Sequence, residues 1–551
     1  MSSHRIRASL VDIEGRNTHA AEVEVMDGRI RAITPIEGPV EGFLLPGFID
    51  AHVHVESSML VPAEFARLAV THGTVATISD PHEIANVLGV AGIDFMIDSG
   101  RQVPFHFFFG APSCVPATRF ETAGAVLDAD AVGALLERPE VRYLSEVMNF
   151  PGVLARDPDL MTKIAHAQRL GKVIDGHAPG LRGEEAARYI RAGVPDGTVV
   201  ISTDHECFTL EEALDKLAAG MHISIREGSA ARNMDALMPL IDSHPHRVML
   251  CCDDTHPDSL VAGHIDRLCA KAVAAGCDVY NVLRAACINP ILHYGLPVGR
   301  LRVGDPADMI LVEDLRHFRV RRTWVRGEPV AEEGRTLIPR HPSASPNHFT
   351  CQPRSEEEFA VPASDAPLHV IQALDGQLIT PHLRMEPRLE AGRCVPDSDR
   401  DLLKIAVVNR YRQAPVAVGW IHGIGLKRGA LASCVAHDSH NIVAVGTSDR
   451  ELCLAVNRVV ADRGGISVCD GEQVTGLPLP VAGIMSTADA CEVAEAYATL
   501  DRAAKSLGSP LSAPFMTLSF MALLVIPHLK MSDLGLFDGD LGHPITGPNR
   551  P

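Results

Sequence analysis

The chain has no apolar stretch long enough to cross a bilayer. Its most apolar run, "FMTLSFMALLVIPHL" near residue 515, falls short of the ~20 residues that a spanning helix needs. The start, "MSSHRIRASLVDIEG", lacks the apolar segment of a secretory signal. Positive charge is also scarce: the formal net charge is −19, and an acidic surface repels nucleic acids and anionic membranes, both of which are polyanions. Neither is expected as a partner, whereas a small neutral or metal-bound ligand is. The 13 cysteines follow no regular spacing and include the adjacent pair Cys251-Cys252, which suits a reducing, cytoplasmic protein rather than a disulfide scaffold. No Gly-x-Gly-x-x-Gly turn follows the first strand of the α/β region, which counts against a doubly wound open sheet. No Pro-Cys-x-x-Cys follows His54-Val55-Glu56, which counts against the cytidine-deaminase type of zinc fold.

What is present is a long chain, 551 residues with 46% hydrophobic content, enough for two to four domains with sizeable cores. The opening segment alternates apolar and polar residues ("AEVEVMDGRIRAI", 21–33) around a hairpin turn at Asp27-Gly28. From Phe43 the rhythm changes to short apolar runs followed by helix-patterned stretches. Strands are expected over Phe43–Ala51, Thr74–Ser79, Phe105–Phe109, Val141–Ser145, Lys172–Gly176, Thr198–Thr203, His222–Arg226 and Arg247–Cys252. Helices are expected between them, among them Glu83–Ser99, Pro158–Leu170, Gly183–Ala192, Leu210–Ala219 and Ser259–Ala275. Eight such units in roughly 250 residues predict an α/β fold built on a (β/α)8 TIM-like barrel. After Asn289-Pro290 the text is strand-like again. The expected domains are therefore a discontinuous small β-domain (1–44 with 298–338), the barrel (45–297), a linker (339–364) around "PRHPSASPNHF", and a C-terminal α/β domain (365–551).

A barrel builds its site at the carboxyl ends of its strands. In "PGFIDAHVHVESSML" (46–60) the alternate positions of His52 and His54 put both imidazoles on one face of a strand, able to converge on one point. The other strand ends add Asp80 and His82, then Glu146, His177, His205, and Asp253 with Asp254. A single His at a strand end is ordinary polar structure more often than a ligand. The joint placement of imidazoles and carboxylates points to a first-row metal site, without choosing among zinc, manganese and iron.

These motifs carry a resemblance. "PGFIDAHVHVESS", "SEVMNFPGV" (145–153), "GHAPGLRG" (176–183), "STDHE" (202–206) and "CCDDTHP" (251–257) resemble the amidohydrolase superfamily and, within it, the bacterial adenine deaminases. "LKRGALASCVAHDSHNIVAVGT" (426–447) is similar to that family's C-terminal domain. The resemblance implies hydrolytic deamination of adenine to hypoxanthine and ammonia, in purine salvage, with two divalent metal ions, Mn2+ or Fe2+ ahead of Zn2+. By the same resemblance His52 and His54 bind the more buried ion, Glu146 bridges, His177 and His205 complete the second site, and Asp253 ligates the first ion and takes a proton from water. Asp254 then meets the purine. Activity on a different aminopurine or a cyclic amide is the alternative, and a non-catalytic scaffold is the contrasting class.

Two glutamates and one loop keep more than one reading. Glu56 shares the parity of the histidines and is either a proton-transfer group or a carboxylate orienting a ligand His. Glu83, in "SDPHEIANVLG" (79–89), is a second candidate for proton transfer, a purine contact together with His82, or an acidic residue in the first turn of a helix. In "VAHDSHNIV" (435–443), His437, Asp438 and His440 read first as a polar loop bonded within its own domain or at a subunit interface, and otherwise as groups facing the barrel mouth or a further metal. A homo-oligomer, dimer or larger, is expected.

Overall fold

The computed structural model describes residues 3–194 and 197–545. Its centre is a parallel sheet of eight strands, Phe48–Val53, Thr74–Ser79, His106–Ala111, Val141–Val147, Val173–Gly176, Thr203–Asp204, His222–Arg226 and Val248–Cys251, in sequential order. The sheet closes on itself: Asp253 N donates to His52 O (2.9 Å) and His54 N donates to Asp253 O (3.1 Å), joining the last strand to the first. Helices cover the outside, so strands such as Thr74–Ser79 are buried along their whole length, as parallel strands with both faces covered are.

Several boundaries depart from the sequence reading, each for a local reason. The strand expected over Phe43–Ala51 is two: Phe43–Pro46 pairs with Met309–Val312, and Phe48–Val53 pairs with Thr74–Ser79 in the barrel. The chain changes sheets at Gly47, where an added Cβ would lie 2.4 Å from both γ-carbons of Val75. The helix expected over Glu83–Ser99 breaks at Gly89, whose φ of +63° suits glycine, into His82–Leu88 and Val90–Gly100. The helix expected over Ser259–Ala275 breaks at Gly263 into Pro257–Ala262 and Ile265–Ala274. The strand expected over Thr198–Thr203 is only Thr203–Asp204.

Beside the barrel lies a second eight-stranded sheet. Four of its strands precede the barrel in sequence (Ser3–Asp12, Asn17–Met26, Arg29–Pro35, Phe43–Pro46) and four follow it (Met309–Val312, Val320–Val325, Glu328–Glu332, Arg335–Thr336). The hairpin at Asp27-Gly28 has positive φ at both residues, the conformation a two-residue turn between twisted strands requires. Segment 339–355 carries no helix or strand but is pinned: Arg340 pairs with Glu64 (3.1 Å) and Arg410 Nη2 donates to Asn347 Oδ1 (2.7 Å).

The C-terminal part is a third eight-stranded sheet around Leu403–Val408 and Ile442–Gly446, with the helices Asp449–Asp462 and Ala490–Ser506 packed on it. It docks onto the barrel mouth. Ser486 N donates to Met59 O (2.7 Å), Asn441 Nδ2 to Thr122 O (2.8 Å), and Tyr497 Oη lies 2.5 Å from His256 Nδ1. One buried apolar cluster runs through both bodies without a break. Cys251 and Cys252 are both buried, and among the described residues no cysteine is in a disulfide. None of the described helices is long and apolar enough to cross a membrane.

Candidate metal centre

The closed barrel brings its strand ends to one point. His52 and His54, on the same face of the first strand, hold their Nε2 atoms 3.2 Å apart. Asp253 Oδ1 lies 3.5 and 3.3 Å from those two atoms. Glu146 stands between two groups: Oε1 is 3.3 Å from His54 Nε2, while Oε2 accepts from His177 Nδ1 at 2.6 Å and lies 3.3 Å from His205 Nε2. The rings of His52 and His205 stack at 4.0 Å. All six side chains are buried.

This arrangement fits divalent cations. His54 Nδ1 donates to the carbonyl of Asp80 (3.2 Å), which fixes the tautomer and leaves Nε2 as a bare lone pair aimed inward. His177 Nε2 is buried without a hydrogen-bond partner. Several triads of imidazole nitrogens and carboxylate oxygens have their atoms within 4.8 Å of one another, among them His52, His54 and Asp253, and His52, Glu146 and His205. Lone pairs converging in a dry site repel one another unless a cation sits among them. Burial alone would raise the Glu146 carboxyl, but the His177 imidazole that donates to it outweighs the burial and holds it well below the usual carboxylate range. The nitrogen and oxygen donors suit zinc, manganese or iron equally.

Two partners in this cluster are absent from the strand-end reading. Arg226, the last residue of the seventh strand, is fully buried; its Nη2 donates to Glu206 Oε2 (2.9 Å) and its Nη1 to Asp253 Oδ2 (2.5 Å) and to Glu206 Oε1. Arg226 is a cation and offers no metal-binding atom, whereas Glu206 does, next to His177 and His205. The available signal was an arginine closing the apolar strand "HISIR", with Glu206 adjacent to His205 in "STDHE". The arginine fixes the outer oxygen of Asp253 and leaves the inner one facing the histidines. Arg226→Met strands two buried carboxylates, and we expect it to lower stability by about 3 kcal/mol, read as a fall in the thermal midpoint, with Arg226→Lys intermediate.

The remaining candidates divide by where they point. His82, Glu83 and Asp254 line the small cavity into which the ligand residues His54, Glu146, His177, His205 and Asp253 also open. His82 Nδ1 lies 3.0 Å from Asp80 Oδ2, and Asp254 accepts from Ser57 Oγ. Glu56 does not line this cavity. Its Oε1 accepts from Ile84 N (3.2 Å) in the first turn of His82–Leu88, while its Oε2 is buried without a hydrogen-bond partner. The loop around 435–443 follows the second of its two readings, facing the barrel mouth. It is not confined to its own domain: His437 Nδ1 hydrogen-bonds Glu83 Oε1, His440 Nε2 lies within ion-pair distance of Glu83 Oε2, and Asp438 Oδ1 lies 3.8 Å from His82 Nε2.

Glu121, in the loop over the third strand, is a further buried acid. Its Oε1 accepts from Thr118 N and Oγ1, both at 3.0 Å, and burial together with the nearby Asp438 pushes its carboxyl up to about 8. An acid whose folded pKa is raised binds its proton more tightly in the folded state. Its contribution is complete below about 4.5 and is lost as pH climbs towards about 8. Glu121→Gln, which keeps the neutral form at every pH, flattens this slope. Its thermal midpoint relative to the parent should rise between pH 5 and 8.5, by the equivalent of a few kcal/mol.

Comparison with known proteins gives a consistent result. Residues 43–330 match the model of the amidohydrolase family, and residues 377–542 match that of the adenine deaminase C-terminal domain. The chain is 53% identical over 546 residues to a protein of Sulfurovum sp. named adenine deaminase, covering 99% of this chain and all of the relative. It is 56% identical to one of the same name from Salinibacter ruber, covering 98% of each, and 51% identical to one from Methanosarcina acetivorans, covering 96% of each.

Proposed function

Because the chain belongs to the amidohydrolase family and, within it, to the adenine deaminases, we propose that it hydrolyses adenine to hypoxanthine and ammonia. The observation that carries the reading is the convergence of six buried ligand-type side chains at the barrel mouth, beside a cavity lined by further acids and imidazoles.

His52, His54 and Asp253 would hold one divalent ion and His177 with His205 the other, with Glu146, whose two oxygens face the two groups, shared between them. Mn2+ or Fe2+ is the assignment we favour, with Zn2+ as the alternative. When bound, such a cation supplies hydroxide at neutral pH by lowering the pKa of a coordinated water from 15.7 to about 7.

The chain's own groups then manage protons and position. Water contributes its oxygen to C6 of adenine and two protons to the products: one passes to a ring nitrogen, the other to the exocyclic amine, which departs as ammonia. Asp253 is placed to take the second of these from water and return it to the departing amine, since Oδ1 faces the histidines while Oδ2 is held by Arg226. Of the two glutamates, Glu83 lines the cavity and Glu56 does not, so Glu83 is the group we assign to the ring nitrogen. Asp254 and His82 complete the polar edge that reads the purine.

Ammonia release from a panel of adenine, other aminopurines and cyclic amides, after loading with Mn2+, Fe2+ or Zn2+, tests the proposal. Release from adenine above all others is expected. Turnover of cyclic amides with none of adenine would overturn it.

A further inference from the structure

The barrel supplies only one wall of the cavity. The opposite wall comes from the C-terminal part of the chain: Leu378, His437, Asp438, Phe520 and Leu523. Three of these five are apolar, whereas the barrel side is almost wholly histidine and carboxylate. A flat heteroaromatic base has polar edges and apolar faces, so carboxylates suit the first and an aromatic or aliphatic surface the second.

The apolar wall is built around one ring pair. Phe520 and His437 stack with centroids 4.6 Å apart and planes 12° apart. His437 is held from the barrel side through its bond to Glu83. Phe520 is held from behind by Lys530, in the strand Leu529–Ser532, whose ammonium donates to the carbonyls of Leu378 (2.7 Å) and Phe520 (2.9 Å). Lys530 is fully buried, and among the described residues no carboxylate lies within ion-pair distance of it. Burial alone pushes its ammonium down to about 7. A methionine of similar length would pack there without that desolvation penalty. What the lysine adds is a tie between the two backbone points that carry Leu378 and Phe520 into the cavity.

We propose that the C-terminal domain is the substrate-binding wall of the barrel site, with the stacked His437–Phe520 pair receiving the base and Lys530 acting as a positioning residue that holds Phe520 and Leu378 in place. The inference rests on the reading that the site takes adenine, for which the cavity, about 20 Å³ as it stands, must widen between its two walls, and it assigns that role to residues outside the barrel.

Steady-state kinetics on the metal-loaded full chain test it. Phe520→Ala should raise KM for adenine at least tenfold while lowering kcat much less, with metal content unaltered, and Phe520→Tyr should restore most of the affinity. Lys530→Met should move KM in the same direction. The double variant should be little worse than Phe520→Ala alone, because Lys530 acts through Phe520. A parental KM in Phe520→Ala overturns the wall. Additive effects in the double variant, or a Lys530→Met that loses thermal stability with KM unmoved, overturn the positioning role, and if Lys530→Met does not fold the Phe520 pair decides alone. Absence of adenine turnover in the parent protein would instead sink the functional reading itself.

Discussion

Asp253→Asn is expected to lower kcat/KM for adenine by at least about a thousandfold while the protein stays folded. The loss follows from what the carboxylate faces. Its inner oxygen lies 3.5 and 3.3 Å from the two imidazoles of the first strand, and an amide in its place neither accepts a proton from water nor balances a cation. Positioned acid–base groups contribute about 10²–10⁴ in rate, and the weakened ligand adds to that. The fold should survive for an equally specific reason. Arg226 remains doubly bonded to Glu206, so the substitution leaves no buried guanidinium unpaired. The backbone bonds that close the barrel at His52, His54 and Asp253 do not involve the side chain. Ammonia release gives the rate, circular dichroism the fold and elemental analysis the metal content. Turnover within tenfold of the parent, with metal retained, would remove Asp253 from the proton-accepting role.

Stripping the metal is expected to have the other large effect. Protein dialysed against a chelator should retain under about 1% of its activity and regain it on reconstitution with Mn2+, Fe2+ or Zn2+, with two equivalents needed if Glu146 is shared as its geometry suggests. The ligand histidines bind as neutral imidazoles, so protons compete with the ion. Apparent affinity should therefore fall as pH is lowered from about 7.5 to 5.5. Removing the ion also leaves several buried lone pairs facing one another, and the thermal midpoint should drop and recover together with activity. Full activity in protein shown to be metal-free would exclude the proposed chemistry.

The sequence and the structure speak to different parts of this site. Alternation in "DAHVHVE" was enough to place His52 and His54 on one face, because side-chain direction in a strand has a period of two whatever the surroundings. The ordered motifs at later strand ends were enough to name Glu146, His177, His205 and Asp253. Glu56 shows where that logic stops. It has the right parity, but the chain turns into a short 3-10 helix at Val55–Ser58, and the side chain leaves the strand's face for the backbone of Ile84. Parity carries information only as long as the strand does.

By itself, the chain's sequence determined the α/β barrel rhythm, the family and the identity of the ligand-type residues, all of which depend on local periodicity and on short motifs. Only the tertiary structure decided what those residues meet. The approach of Arg226 to Asp253, the capture of Glu83 by His437, 354 positions away in the chain, and the hold of Lys530 on Phe520 are contacts between segments whose spacing has no period. They form because barrel closure and the docking of the C-terminal sheet leave buried charges and rings that must find partners in three dimensions.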